Sequence, residues 1–416
     1  METSMKTTWL RRAWATAIVA LMCVMALGLA ACGGSSSSSA AQSGSTSGSA
    51  SSASESSASA SSASASSASA SSSEASSSEA SASASSAAAG DVVTFTDSAG
   101  RKVEVPAKID RVAVTGPVSQ MCMLTFAPNK MVGLSNELSA AEMKYVGEEY
   151  GKLPVYGQIY GGKGDFNKEA VASADPQVIL DIGEAKKSIV EDLDEIQAAT
   201  GIPCVHVEAT LGSYSEAYEM LGELLGEEER AAELSDYCEQ AYGSVKSAME
   251  SVPAEKRGKV AYLLGDAGLN AIPKGSFQGQ VVEMVADNVV EVENATGSGL
   301  GNEVSFEQIA LWDPQMIIFA PGSVYSTAAN DPSWSTLTAV KDGNYYEVPG
   351  EPYNWVHNPP SVNQILGLQW FARLCYPDQF DDSMADVVKT YYKTLYKYDL
   401  SDEECAALLK NAEPKE

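Results

Sequence analysis

Phe166–Gly183 reads FNKEAVASADPQVILDIG, and Phe306–Gly322 repeats its grammar as FEQIALWDPQMIIFAPG. In both copies a glutamate, Glu169 or Glu307, stands six residues before Asp-Pro-Gln, and an apolar run then ends in glycine. Each copy reads as a short helix opened by the glutamate, a turn at Asp-Pro-Gln, and a buried strand, Val178–Leu180 or Met316–Ile318. Helix–turn–strand units resemble one another by chance. The glutamate at a fixed offset in both makes chance a poorer account than two halves of common build.

The sequence around each copy supports that division. Residues 92–106, VVTFTDSAGRKVEVP, alternate apolar and polar about Asp97–Gly100 and predict a β-hairpin. Short apolar runs follow at Val112–Val114, Met131–Leu134, Val178–Asp181 and Val205–Val207, with helical patterns at Ser119–Phe126 and Ser188–Ala199. Strands alternating with helices predict an α/β lobe with a largely parallel sheet. The later half does the same, with strand-like KVAYLLG (Lys259–Gly265), MIIFAPG (Met316–Gly322) and YYEVPG (Tyr345–Gly350), and helix-like VNQILGLQWFARLC. Helices at Ala385–Tyr398 and Ser401–Lys410 are expected to close the chain.

Between the halves lies the longest helical pattern, Glu227–Val252. Leu234, Cys238, Ala241, Val245, Ala248 and Val252 recur at steps of three and four and draw one apolar stripe. Acids open the pattern, as the helix dipole prefers, and Pro253 closes it. Such a helix would be about 39 Å long, at 1.5 Å per residue. That suits a strut between two lobes better than a crossover within one.

The beginning of the sequence reads as an address. Lys6, Arg11 and Arg12 precede an apolar run, Ala13–Ala30, that ends in Leu-Ala-Ala-Cys at Cys32. A charged start, an apolar middle and small residues before a cysteine predict a cleaved signal with lipidation at Cys32. Residues 33–90 are nearly all Ser, Ala and Gly, with Glu55, Glu74 and Glu79 as the charges, and predict an unstructured tether. The expected organisation is signal peptide 1–31, tether 32–90, first lobe 91–226, helix 227–252 and second lobe 253–416.

Charge and cysteine content exclude more than they assign. With 27 Lys and Arg against 55 Asp and Glu, the net charge is −28, which opposes binding to nucleic acid or anionic lipid. Beyond Cys23 and Cys32, Cys122, Cys204, Cys238, Cys375 and Cys405 are widely and irregularly spaced, fitting neither a disulfide framework nor a zinc cluster. Catalysis finds no support. GSGLG (Gly297–Gly301) does not lead from a strand into a helix, PKGS (Pro273–Ser276) lacks the rest of a P-loop, and no nucleophile elbow is present.

In order along the chain, TFTDSAGRKVEVPAKIDRVAV, NKEAVASADPQVIL, VSFEQIALWDPQMIIF and WSTLTAVKDGNYYEVPG resemble the substrate-binding proteins of ABC importers for iron–siderophore complexes, haem and cobalamin. The resemblance covers most of 91–398. It implies two Rossmann-like α/β lobes joined by one long rigid helix, with a ligand cleft between them and no intrinsic cofactor. It also implies a monomer lipid-anchored at the outer face of the cytoplasmic membrane, serving a two-fold permease with a cytoplasmic ATPase. In that family one surface glutamate per lobe docks on permease arginines; Glu169 and Glu307 occupy those positions.

Cleft residues are expected on loops at the carboxyl ends of strands. Those loops bring Gln158, Tyr160, Lys163, Tyr325, Tyr353, Trp355 and His357 together, an aromatic set suited to a bulky chelate. His357 admits three roles: metal ligand opposite Tyr160 or Tyr325, hydrogen-bond donor to an anionic ligand, or anchor of its own loop. His206, inside the apolar CVHV run, reads as a satisfied core residue. Two histidines are poor support for a naked zinc or manganese site. No arginine of the folded part lies in a cleft loop, which disfavours a multiply anionic siderophore. A haem-like, corrinoid or weakly charged chelate remains, with Lys163 and Lys274 as sources of positive charge. Molybdate or tungstate at helix N-termini is the alternative ligand, and a surface sensor the alternative class.

Overall fold

Val92–Thr96 (β1) and Lys102–Pro106 (β2) form the expected hairpin, antiparallel across the Asp97–Gly100 turn. The structure, a computed structural model, describes residues 91–160, 164–297 and 299–414. The signal, the tether, Cys32 and Lys163 lie outside the described residues.

Val112–Val114 (β3), Val178–Gly183 (β4) and Cys204–Glu208 (β5) form a parallel sheet in the order β3-β4-β5. Nearly every residue of these strands is buried, as helices cover both faces of a parallel sheet. The helices of this lobe are Pro117–Phe126 (α1), Ala140–Val146 (α2), Lys168–Ser173 (α3), Ile189–Thr200 (α4) and Tyr214–Leu225 (α5), of which α1, α4 and α5 pack on the sheet. The expected strand Met131–Leu134 makes only single bridges, Val112 to Met131 and Leu134 to Val155. Its backbone continues the sheet edge too briefly to form a strand.

The strut is Glu228–Glu250 (α6), 23 residues and about 35 Å. It stops short of the expected Val252 because a residue before proline is driven from helical geometry, and the Ser251 hydroxyl donates to the Ala248 carbonyl at 2.7 Å. The stripe holds through Leu234, Cys238, Ala241 and Val245, then passes to Met249 in place of Ala248. A straight helix drifts off a strict repeat in this way. Gly226 turns α5 back into α6 in a left-handed conformation. At Gly222 a β-carbon would lie 2.4 Å from that of Ala231, so the two helices approach closely there.

In the second lobe, Lys259–Leu264 (β6) lies at the centre of a mixed sheet. Its other strands are Asn270–Ala271 (β7), Asp287–Asn288 (β8), Asn302–Glu303 (β9), Met316–Phe319 (β10) and Tyr345–Glu347 (β11). β10 is parallel to both β6 and β11, whereas β7 and β9 add antiparallel pairs. The helices are Gln280–Val285 (α7), Phe306–Trp312 (α8), Tyr325–Ala328 (α9), Thr338–Lys341 (α10), Asn363–Cys375 (α11), Met384–Tyr396 (α12) and Asp402–Leu409 (α13). A single hydrophobic core runs from Val112 and Leu180 through Leu234 and Cys238 of the strut to Trp370 and Tyr391 of the last helices. The strut is therefore not the sole tie between the lobes. Tyr145 of α2 stacks edge-on against Tyr392 and Tyr398 at centroid distances of 4.9 and 5.0 Å, and Lys144 pairs with Glu404 of α13 at 2.8 Å.

Candidate ligand cleft

The carboxyl ends of β3 and β4 deliver Thr115–Ser119 and Asp181–Glu184 to one wall of a cleft between the lobes. The facing wall comes from Leu264–Gly265 after β6, Ala320–Pro321 after β10, the 350–360 loop and residues around Gly299. Two chambers of about 690 and 480 Å³ share Pro117, Gly299, Leu300, Asn358 and Pro359 and so adjoin along that seam.

Gln158 and Tyr160 line the smaller chamber, and Tyr353 and His357 the larger. The Gly157–Tyr160 stretch reaches the cleft because the Ile159 N–H donates to the Thr115 carbonyl at 2.9 Å. Tyr160 gives its hydroxyl to Asp192 at 2.7 Å, and burial, with that carboxylate, raises its pKa. Trp355 and Tyr325 line neither chamber. Trp355 is 1% exposed and its indole N–H donates to the Glu351 carbonyl at 3.0 Å, which makes it the internal anchor of the 350–360 loop. Tyr325 packs within the second lobe's own core beside Tyr345. Both are aromatic, as a cleft would want, but equally suited to core, and sequence cannot separate the two uses.

His357 is committed on both nitrogens. Its Nε2–H donates to the Gly299 carbonyl at 3.1 Å, which leaves Nδ1 to accept the Tyr262 hydroxyl at 2.5 Å. Burial lowers its pKa to about 4. Of the three roles the sequence left open, loop anchor fits this geometry, and Asn354 holds the same loop. The Asn354 amide oxygen accepts the N–H groups of Val356 and His357 at 2.9 and 3.0 Å.

Three carboxylates were not foreseen as cleft residues: Asp181, Glu184 and Glu142. Lys186 is the cation lining the described part of the cleft, and it pairs with Glu184 at 2.5 Å. Asp181 is held at the cleft floor by the Thr115 hydroxyl at 2.5 Å and by His206 Nδ1 at 2.8 Å. His206 is thus only half satisfied. Its Nε2 is buried without a partner among the described residues, contrary to the expected satisfied core histidine. The signal that could have found Asp181 was a lone acid inside the apolar run VILDI.

Two α/β lobes about a lined cleft, tied by a long helix, define a bilobed binding protein. Residues 130–352, more than half of the chain, match the family model described as periplasmic binding protein, and the chain belongs to that family. It is similar to the ABC transporter solute binding protein from Sulfurospirillum deleyianum, with 28% identity over 76% of this chain and 99% of that one and a TM-score of 0.70. It shares its fold with a periplasmic solute binding protein from Veillonella parvula, at 24% identity, 77% and 98% coverage and a TM-score of 0.61. The same holds for the Haemophilus influenzae molybdate periplasmic binding protein MolA, at 21% identity, 74% and 99% coverage and a TM-score of 0.58. No curated protein sequence matches the chain. Binding proteins of this family are extracytoplasmic transport components that hold a transported ligand and carry no cofactor of their own.

Proposed function

We propose that this chain is the lipid-anchored substrate-binding protein of an ABC importer, and that its ligand is a neutral or cationic metal chelate: a ferric siderophore or a corrinoid. The observation that carries the ligand class is the charge of the cleft, where among the described residues Glu142, Asp181 and Glu184 stand against one paired lysine, Lys186. Carboxylates at a partly desolvated wall attract a cation or hydrogen-bond donor and repel an anion. A catecholate chelate, or haem with its two propionates, would meet like charge. Molybdate would meet Asp181 beside the start of α1, where Pro117 offers no N–H. The apolar lining, with Pro117, Val118, Ile182, Phe277 and Pro360, suits the organic face of a chelate.

Native mass spectrometry with metal analysis of protein purified from its own host identifies the ligand class. Titrations then compare ferrioxamine B, a ferric trihydroxamate with one free ammonium, with cyanocobalamin, haem, a ferric catecholate and molybdate. Binding of the first or second above the anions is expected. Preferential binding of molybdate or the catecholate would overturn the charge argument. The anchor is tested in the same cells: Cys32→Ser should move the protein from the membrane to the soluble fraction, and continued retention at the membrane would argue for an uncleaved helix as the anchor.

A further inference from the structure

Within the GSGLG string, Gly297 lines the smaller chamber, and Gly299 and Leu300 line both, where the two adjoin. The string is clamped by its carbonyls. Gln278 Nε2 donates to Gly297 at 2.9 Å, His357 Nε2 to Gly299 at 3.1 Å and Asn270 Nδ2 to Leu300 at 3.1 Å. These donors come from three separate parts of the second lobe. Gly301 stands at φ +74°, and a β-carbon there would lie 3.0 Å from the Ala271 backbone, so the segment presses directly on β7.

On this clamped segment Leu300 is 74% exposed. A large apolar side chain left in water by a mobile loop is unremarkable; single exposed leucines are common. Here a set of side-chain hydrogen bonds fixes the backbone that presents it, at the one place that borders both chambers. The facing wall at the same junction is Pro117, also apolar and also shared by both chambers. A ligand that reaches both chambers therefore meets Leu300 and Pro117, which line each of them.

We propose that Leu300 is a specificity-determining contact of the cleft, a wedge against which the methylene or ring face of the ligand seats while its cationic or donor side turns toward Asp181 and Glu142. This rests on the reading of the cleft as the ligand site. It requires an occupant with an apolar face, and disfavours small hydrated ions that fill one chamber alone. Covering a leucine side chain is a large share of a ligand's affinity, so its truncation should weaken binding roughly tenfold or more.

The test titrates ferrioxamine B into the wild-type protein, Leu300→Ser and Leu300→Met by intrinsic fluorescence, with urea midpoints alongside. The serine variant should bind roughly tenfold more weakly and the methionine variant within about threefold of wild type, with both midpoints unchanged because the side chain is exposed. Equal affinity in Leu300→Ser overturns the proposal. If the wild type binds no chelate, the importer-ligand reading fails on its own, and the wedge is read with Nile red, a neutral apolar dye. Weaker dye binding by Leu300→Ser then supports it, and equal binding by the two proteins overturns it.

Discussion

Gln177 and Gln315 make the same pair of hydrogen bonds in the two lobes. The Gln177 N–H donates to the Arg111 carbonyl at 2.8 Å while its side-chain oxygen accepts the Arg111 N–H at 3.1 Å. Gln315 does this to Lys259 at 2.9 and 3.2 Å. Each glutamine thus pins the strand it precedes, β4 or β10, to the start of its parallel neighbour, β3 or β6. The aspartates two residues earlier, Asp175 and Asp313, both take left-handed backbone, at φ 49° and 47°. The repeated Asp-Pro-Gln is a structural device for starting a parallel strand pair.

That assignment isolates the repeated glutamates. Asn167 and Ser305 cap the two helices, accepting the N–H groups of Ala170 and Gln308. Glu169 and Glu307 in the first turns are exposed, and neither carboxylate has a hydrogen bond or ion pair among the described residues. Helix dipoles favour acids there, yet dipoles do not require glutamate at the same offset in both lobes. As permease-docking groups each would be worth only about 0–1 kcal/mol, setting orientation more than affinity. Glu169→Ala combined with Glu307→Ala should therefore abolish uptake by cells while ligand affinity of the purified protein stays within about twofold of wild type. Undiminished uptake by the double variant would sink the docking role.

His357 gives the fold a definite pH dependence. Its pKa in the fold is about 4, below the ordinary 6.5, because burial disfavours the imidazolium. The neutral ring is what the native state holds, so the stabilising contribution is present above pH 6.5 and is lost as pH falls toward 4. The full loss is roughly 3 kcal/mol. Carboxylates titrate at the lower end of this window, so wild type is compared with His357→Gln by urea unfolding between pH 7.5 and 4. Stability of the wild type should fall more steeply with pH than that of the variant. Parallel slopes would show that His357 does not titrate against burial.

Much of the fold was legible in the sequence because period and punctuation carry it. Val112–Val114 and Val178–Leu180 are too apolar to be anything but buried strand, and the strut shows itself through its stripe and Pro253. The cleft was less legible for a physical reason: its lining is decided by which way a loop faces. Trp355 and His357 are two residues apart on one loop, and the loop turns the first into the core and the second to the cleft wall, where its nitrogens are spent on anchoring. Asp181 lies on a strand, not a loop, and reaches the cleft because β4 ends there. Leu300 was hidden inside a glycine-rich string whose composition suggests phosphate binding and whose fold does not.

The 350–360 loop holds its place because α11 lets it come close. At Gly367 a β-carbon would lie 2.0 Å from the Trp355 carbonyl oxygen and 2.7 Å from its carbon, both backbone atoms. A flexible side chain could move aside, but this backbone is fixed by the buried Trp355 ring, by Gln364 Nε2 donating to the Val356 carbonyl at 2.9 Å, and by the His357 bonds. Glycine is helix-weakening by about 1 kcal/mol relative to alanine, so an exposed glycine replaced by alanine at this position of a helix would gain stability. Here the clash outweighs that gain. Gly367→Ala should lower stability by about 3 kcal/mol, the upper part of the usual range for overpacking, and should weaken ligand binding because the loop that carries Tyr353 and Asn358 into the cleft has to shift. Gly243 on α6, where an added β-carbon meets nothing within 4 Å, is the control: Gly243→Ala should be neutral or stabilising. A Gly367→Ala protein as stable as wild type, measured by urea midpoint, would mean that the cleft loop is not seated against α11 as the structure has it.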